Sequence, residues 1–240
     1  MSRAAPHRVV NRLLARLPRR ERSRLAQRFE RVDLAFGTVL CEPDEPLPHV
    51  YFPLTATISL VMPVNGRQPL EMGLVGSEGM LGATLVLGIN ALPLRAVVQG
   101  SGAALRIATA SFRRQLRDSP ALLRRLNRHL YVLMAQLAQT AACTRFHDVE
   151  ARLARWLLMT HDRAHGDEFR LTHQFLADML GVRRSGVTIA AGDLQRRELI
   201  SYTRGAIQVL NRKGLEAAAC ECYGAVVGDD AQAFSAGNSG

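Results

Sequence analysis

Apolar positions change their period along the chain, and each change predicts a different kind of element. In residues 8–17 and 19–31, Leu13, Leu14, Leu17, Leu25 and Phe29 recur at helical spacing between arginines. That predicts two short amphipathic helices with solvated basic faces. From Val32 to Ile107 the pattern breaks into short apolar stretches at Val39-Leu40, Val50–Phe52, Thr57–Met62, Leu70–Val75, Ala96–Gln99 and Ala104–Ile107. Turn-formers separate them (Glu42-Pro43-Asp44, Val64-Asn65-Gly66, Gly76-Ser77, Gly100-Ser101-Gly102), so an antiparallel barrel or sandwich is expected, with a hairpin at Asn65-Gly66.

Helical spacing returns over 110–118, and Pro120 is placed to open a longer helix. Along it, Leu123, Leu126, Leu130, Leu133, Leu137, Thr140 and Thr144 alternate at spacings of 3 and 4, the register that packs two helices side by side. A stripe lying on the chain's own barrel is the competing reading; the narrow register favours a dimer seam, flanked by Arg124, Arg125 and Arg128. Val149, Leu153, Trp156 and Leu157 predict a helix over 148–162, closed by His165-Gly166-Asp167. Residues 225–240 are rich in Ala, Gly, Ser and Asp and predict a disordered tail.

The most informative stretch runs from Leu171 to Leu210. Thr172 can cap a helix through Ala177 and Leu180, and Gly181 can end it in a left-handed conformation. A second helix follows, with Val187, Ala190, Ala191 and Leu194 on its inner face. Ala177, Gly181 and Val187 stand where a helix-turn-helix needs a small residue at the crossing, a turn glycine and an apolar lock. Leu199–Tyr202 and Ala206–Leu210 then alternate around Arg204-Gly205, a hairpin placed to act as a wing with Arg204 near its tip. The second helix would enter a major groove. Thr172, His173, Gln174, Arg183, Arg184, Ser185, Thr188 and Arg204 are the candidate DNA contacts.

Charge alone would point elsewhere. The net charge is +10, which favours polyanionic partners, but the densest arginine run lies in residues 1–31 and the candidate reading segment is only mildly basic. No apolar run suits a membrane span or a leader, and the 4 cysteines suggest no disulfide framework, so a cytoplasmic protein is expected. An enzyme is not expected. No nucleophile–base pair, phosphate loop or metal spacing stands out, and Glu71 with Glu78 reads as a barrel-surface pair.

The run Leu171–Val182 resembles the first helix and turn of the cyclic AMP receptor/FNR (CRP/FNR) family of bacterial regulators, and Leu194–Ile200 resembles the end of its recognition helix. Val149–Leu158, His49–Pro53 and Gly76–Gly82 extend the likeness, which spans residues 8 to 218. It implies an α+β fold: a cyclic-nucleotide-binding-like β jelly-roll with N-terminal helices (1–118), a long dimerisation helix (119–146) and a winged helix-turn-helix (147–224). It further implies a homodimer that reads a palindromic operator through a recognition helix at 183–197, with double-stranded DNA, itself and RNA polymerase as partners and no membrane. A signal at the barrel would then shift helix 120–144 and move two recognition helices relative to major grooves about 34 Å apart.

The chain departs from the family in two places. Family members begin the recognition helix with Ser-Arg-Glu and place another arginine a turn later; here Arg184 keeps the first arginine, while Ser185 and Ile189 replace the glutamate and the second arginine. A different operator is therefore expected. The effector pocket (Glu78, Gly79, Met80, Leu81, Arg95, Ala96) has Met80 where a ribose-binding glutamate belongs, and Arg95 falls one position late without a hydroxyl neighbour. Cyclic AMP is accordingly not the expected effector. The N-terminal cysteine cluster of iron–sulfur sensors is absent; Cys41, Cys143, Cys220 and Cys222 show no four-ligand spacing, and Cys220 and Cys222 on one helix would point apart. They read as small buried residues, and His49, His129 and His147 as packed or polar side chains, so no metal is expected and the cofactor is left open. A sensor that acts through protein partners without reading DNA is the alternative function.

Overall fold

A computed structural model describes residues 10–164, 166, 168–203, 205–226 and 228. Its elements are α1 (Arg12–Ala15), α2 (Arg19–Ala26), β1 (Glu30–Leu34), β2 (Val39–Cys41), β3 (His49–Pro53), β4 (Thr57–Met62), β5 (Leu70–Val75), β6 (Arg95–Gly100), β7 (Gly102–Ala108), α3 (Thr109–Asp118), α4 (Pro120–Phe146), α5 (Val149–His161), β8 (Glu168–Arg170), α6 (His173–Leu180), α7 (Arg184–Arg196), β9 (Ile200–Thr203), β10 (Ala206–Val209) and α8 (Arg212–Ala218).

Two antiparallel sheets, ordered β1-β7-β3 and β2-β6-β4-β5, form the N-terminal domain. Ile58, Leu60, Val75, Ala96, Val98 and Ala104 fill the space between them. Val50, Phe52 and Ile107 sit on the other side of the first sheet under Leu13, Leu25, Phe112, Leu122 and Leu126 of the surrounding helices. Because β3 is covered on both faces, its apolar residues run without a break instead of alternating. The Asn65-Gly66 turn joins β4 to β5, with Gly66 in the left-handed region at φ 68°.

The expected helix over 19–31 ends at Ala26. Strand pairing overrides the helical spacing: Glu30 lies opposite Arg106 and accepts two hydrogen bonds from its guanidinium at 2.8 and 3.0 Å. Phe29 meanwhile packs edge-on against Phe52. Of the first expected helix, only Arg12–Ala15 is helical among the described residues; Asn11 caps it through Leu14 N–H and donates to Pro53 O and Gly79 O.

Pro120 opens α4 as the sequence predicts, and the Ser119 side chain caps it. Its orientation differs from the seam expected over residues 123–144. Leu126 is fully buried, and Leu130, Leu133 and Leu137 pack against the barrel cores. Thr140 is buried as well. The barrel needs an apolar stripe to cover it, and these leucines supply it. The face left open lies about one position further round and holds Leu123, Tyr131 and Met134, the last two each 61% exposed.

The C-terminal domain closes around Leu153, Leu157, Leu176, Val187, Leu194, Ile207 and Leu215, all fully buried. Its sheet is three-stranded, β8-β10-β9; β8 adds an edge to the wing that the sequence did not announce. This domain rests on the barrel. The Trp156 indole N–H donates to Glu71 Oε1 at 2.8 Å, Arg163 pairs with Glu78 at 2.8 Å, and Leu70 bridges to Leu180. Glu71 and Glu78 are therefore not a surface pair but two buried carboxylates, each tied to the segment of α5 and its exit.

Ala225 and Val226, expected to begin a disordered tail, are helical, and Val226 is buried with Leu74 and Met159. The remaining tail residues other than 228 lie outside the described residues, as do His165 and Asp167. Among the described residues no helix is long and apolar enough to cross a membrane.

Candidate functional site

The helix-turn-helix forms where the sequence places it. Thr172 Oγ1 accepts from Phe175 N–H at 3.1 Å, which caps α6, and Gly181 ends it at φ 64°. A Cβ at Gly181 would stand 3.1 Å from Leu70 Cδ1, so the glycine serves both the left-handed turn and the close approach of the barrel. Val187, Ala190, Ala191 and Leu194 are the buried face of α7. Arg183, Arg184, Ser185, Thr188 and Ile189 lie on the opposite, solvent-facing side.

The starts of α6 and α7 and the wing converge. Thr172, His173, Gln174, Arg184, Tyr202 and Gly205 line one open concavity of about 500 Å³. Tyr202, which sequence reasoning missed, stacks its ring on His173 at 4.2 Å and 14°, and Thr188 Oγ1 lies 3.0 Å from His173 Nδ1. Burial and the Arg184 charge hold the His173 pKa below its usual value, so the ring adds no cation of its own at neutral pH. Arg204 lies outside the described residues. The signal that could have found Tyr202 is its place on the strand leading into the wing.

The expected effector residues are packed or turned in different directions. Met80, Leu81 and Ala96 are packed to at most 1% exposure. A Cβ on Gly79 would lie 2.3 Å from His129 Cε1, so the ring of an α4 residue fills the space beside that glycine. Met80 N–H points at His129 Nε2 at 3.2 Å, and burial pushes the His129 pKa down, which keeps the ring neutral. Arg95 turns outward to Glu42 at 2.8 Å while Glu78 turns to Arg163.

Glu71 is strongly altered by its surroundings. Burial pushes its carboxyl up to about 7 from a usual 4.5, despite hydrogen bonding with Ser59 and Trp156. Ser59 Oγ lies 2.6 Å from Glu71 Oε2 and 2.7 Å from Gln99 Oε1, while Gln99 Nε2 donates to Thr160 Oγ1 at 3.1 Å. One hydroxyl proton cannot serve two acceptors. The chain is complete when protonated Glu71 donates to Ser59, which donates to Gln99. Because the folded-state pKa is raised, this group stabilises the fold fully below pH 4.5 and loses that contribution as the pH rises through about 7. Glu71→Gln is expected to flatten the dependence of Tm on pH across this window; an unchanged slope in calorimetry would rule the assignment out.

The cysteines also depart from expectation. Cys143, His147, Cys220 and Cys222 bring their ligand atoms within 4.8 Å of one another. Cys220 and Cys222 do not share one helix: Cys220 lies in irregular chain after α8, and Cys222 begins the next helical turn, so both can face the end of α4.

Residues 151–218 match the family model for the Crp-like helix-turn-helix domain. Solved structures share the whole architecture. A protein assigned to the CRP/FNR transcriptional regulators from Eubacterium rectale aligns with TM-score 0.67 and 14% identity over 86% of this chain and 96% of its own. FixK2 from Bradyrhizobium japonicum aligns with TM-score 0.66 and 14% identity over 80% and 98%. A CRP/FNR family regulator from Thermus thermophilus aligns with TM-score 0.64 and 24% identity over 79% and 98%. No curated protein sequence matches the chain. The protein thus shares the fold of these structures: an N-terminal sheet domain, a long helix and a C-terminal helix-turn-helix domain.

Proposed function

We propose that the protein is a homodimeric, sequence-specific transcription regulator in which residues 1–118 sense, 119–146 dimerise and 147–224 read DNA. The observation that carries this reading is the concave face on which the N-termini of α6 and α7 meet the wing. Free N–H groups at the start of α6 suit a phosphate, and the exposed first turn of α7 presents Arg184 and Ser185 to base edges. The open stripe of Leu123, Tyr131 and Met134 on α4 is the surface that joins two copies. RNA polymerase is the further partner that transcriptional control would require. The packed surroundings of Gly79 and Met80 and the outward turn of Arg95 support an effector other than cyclic AMP.

Selection from a random DNA pool by purified full-length protein, at a fixed salt concentration, tests this reading. A palindrome with half-sites one helical turn apart, and different from the family's best-known site, is the expected product. Absence of enrichment, with and without cell-extract small molecules, would overturn it.

A further inference from the structure

Cys143, His147, Cys220 and Cys222 lie away from the DNA-reading face and take no part in it. Cys143 and His147 stand four residues apart at the end of α4 and so share a face of its last turn. Cys220 and Cys222 approach from the segment that follows α8. Cys143 Sγ is 3.6 Å from Cys220 Sγ, and Cys222 Sγ is 3.5 Å from His147 Nδ1. A tetrahedral ion with Zn–S of about 2.3 Å and Zn–N of about 2.0–2.1 Å separates sulfur pairs by about 3.8 Å and sulfur–nitrogen pairs by about 3.6 Å. The observed spacings fit that geometry and are far from the roughly 2.05 Å of a disulfide.

We propose that these four side chains hold one zinc(II) ion in a closed site of three thiolates and one imidazole. Two features of the surroundings support it independently of the spacing. First, Glu221 Oε1 sits 3.1 Å from His147 Nε2, which places the ring proton there and leaves Nδ1 as the ligand atom. Second, Arg152 and Arg155 are buried beside the cluster, 8% and 7% exposed, and among the described residues neither makes an ion pair. Arg155 Nε has no hydrogen-bond partner. Three thiolates around a divalent ion leave one net negative charge, which these guanidiniums offset. Gln139 Nε2 donates to Cys222 Sγ at 2.9 Å, a contact suited to a thiolate.

The thiol protons leave to solvent as the metal enters. With four protein ligands and no open position, the ion is structural. It clamps the segment after the winged domain to the end of α4, across the His147-Asp148 junction where α5 begins.

Metal analysis of full-length protein purified without chelator is expected to find about one zinc per chain. Cys143→Ser and Cys222→Ser are each expected to lose it, while Cys41→Ser, whose thiol is buried in the barrel, keeps it. Cobalt(II) added to the metal-free, unaltered chain is expected to give the visible ligand-field bands of a tetrahedral thiolate site and to raise Tm. A folded, unaltered chain that takes up neither metal would overturn the proposal. So would acid-labile sulfide with a brown absorbance, which would put an iron–sulfur cluster on these ligands. A Cys143–Cys220 disulfide found by mass spectrometry in the protein as isolated would overturn it too.

Discussion

Arg184→Ala is expected to weaken binding to the selected operator by about 1–3 kcal/mol, roughly one to two powers of ten in Kd, with Tm and oligomeric state unchanged. Arg184 is the first residue of α7, fully outside the packed face formed by Val187, Ala190, Ala191 and Leu194. Its removal takes nothing from the core and leaves no buried group unpaired. Its fork can take both acceptors of a guanine edge, so the loss should concentrate at one base position of each half-site. Loss of equal size on random DNA would instead make Arg184 a phosphate contact. Arg197→Ala makes the matched control: Arg197 lies at the far end of the same helix and pairs with Glu150 at 2.6 Å. Fluorescence anisotropy against the selected site and its single-base variants distinguishes these outcomes.

The second large effect is expected on assembly. Tyr131→Glu with Met134→Glu should convert the proposed dimer to monomers in sedimentation and lower operator affinity by about 10²–10⁴-fold. The second half-site is then no longer held at high effective concentration. Both residues are 61% exposed in the single chain, so a charge there costs the monomer little. Leu130→Glu, the substitution the heptad alone would suggest, is a poor substitute because Leu130 packs against the barrel-side core cluster. It should lower Tm before it says anything about dimerisation. A Tyr131/Met134 double variant that stays dimeric would remove α4's open stripe from the interface.

The sequence made the helix-turn-helix legible because its constraints are local. Thr172, Ala177, Gly181 and Val187 fall within two helical segments and a turn, and each took the expected role. The barrel strands were legible for the same reason, as short apolar stretches between turns. What escaped depends on distant partners. β1 exists because Glu30 finds Arg106, 76 residues on. The heptad was real as a pattern, yet most of its leucines turned to the chain's own barrel, since periodicity gives a stripe and not what covers it. The cysteines meet across 77 residues, a separation that no local spacing rule spans. Glu71 and Glu78 looked like surface acids because nothing nearby in sequence announces Trp156 or Arg163.

The contact of α5 and α6 with the barrel has a consequence for how the molecule can be dissected. Trp156 is covered by Glu71 on β5, Phe175 packs against Phe36 with ring centroids 5.4 Å apart, and Leu180 bridges to Leu70. A fragment cut at His147 would present these side chains to water as one greasy flank, and it should self-associate. The barrel is in this sense a solubility partner for the domain it carries. Genetic screens for loss of operator recognition should therefore return lesions at Leu70 and Glu71, far from any base pair, alongside those in α7.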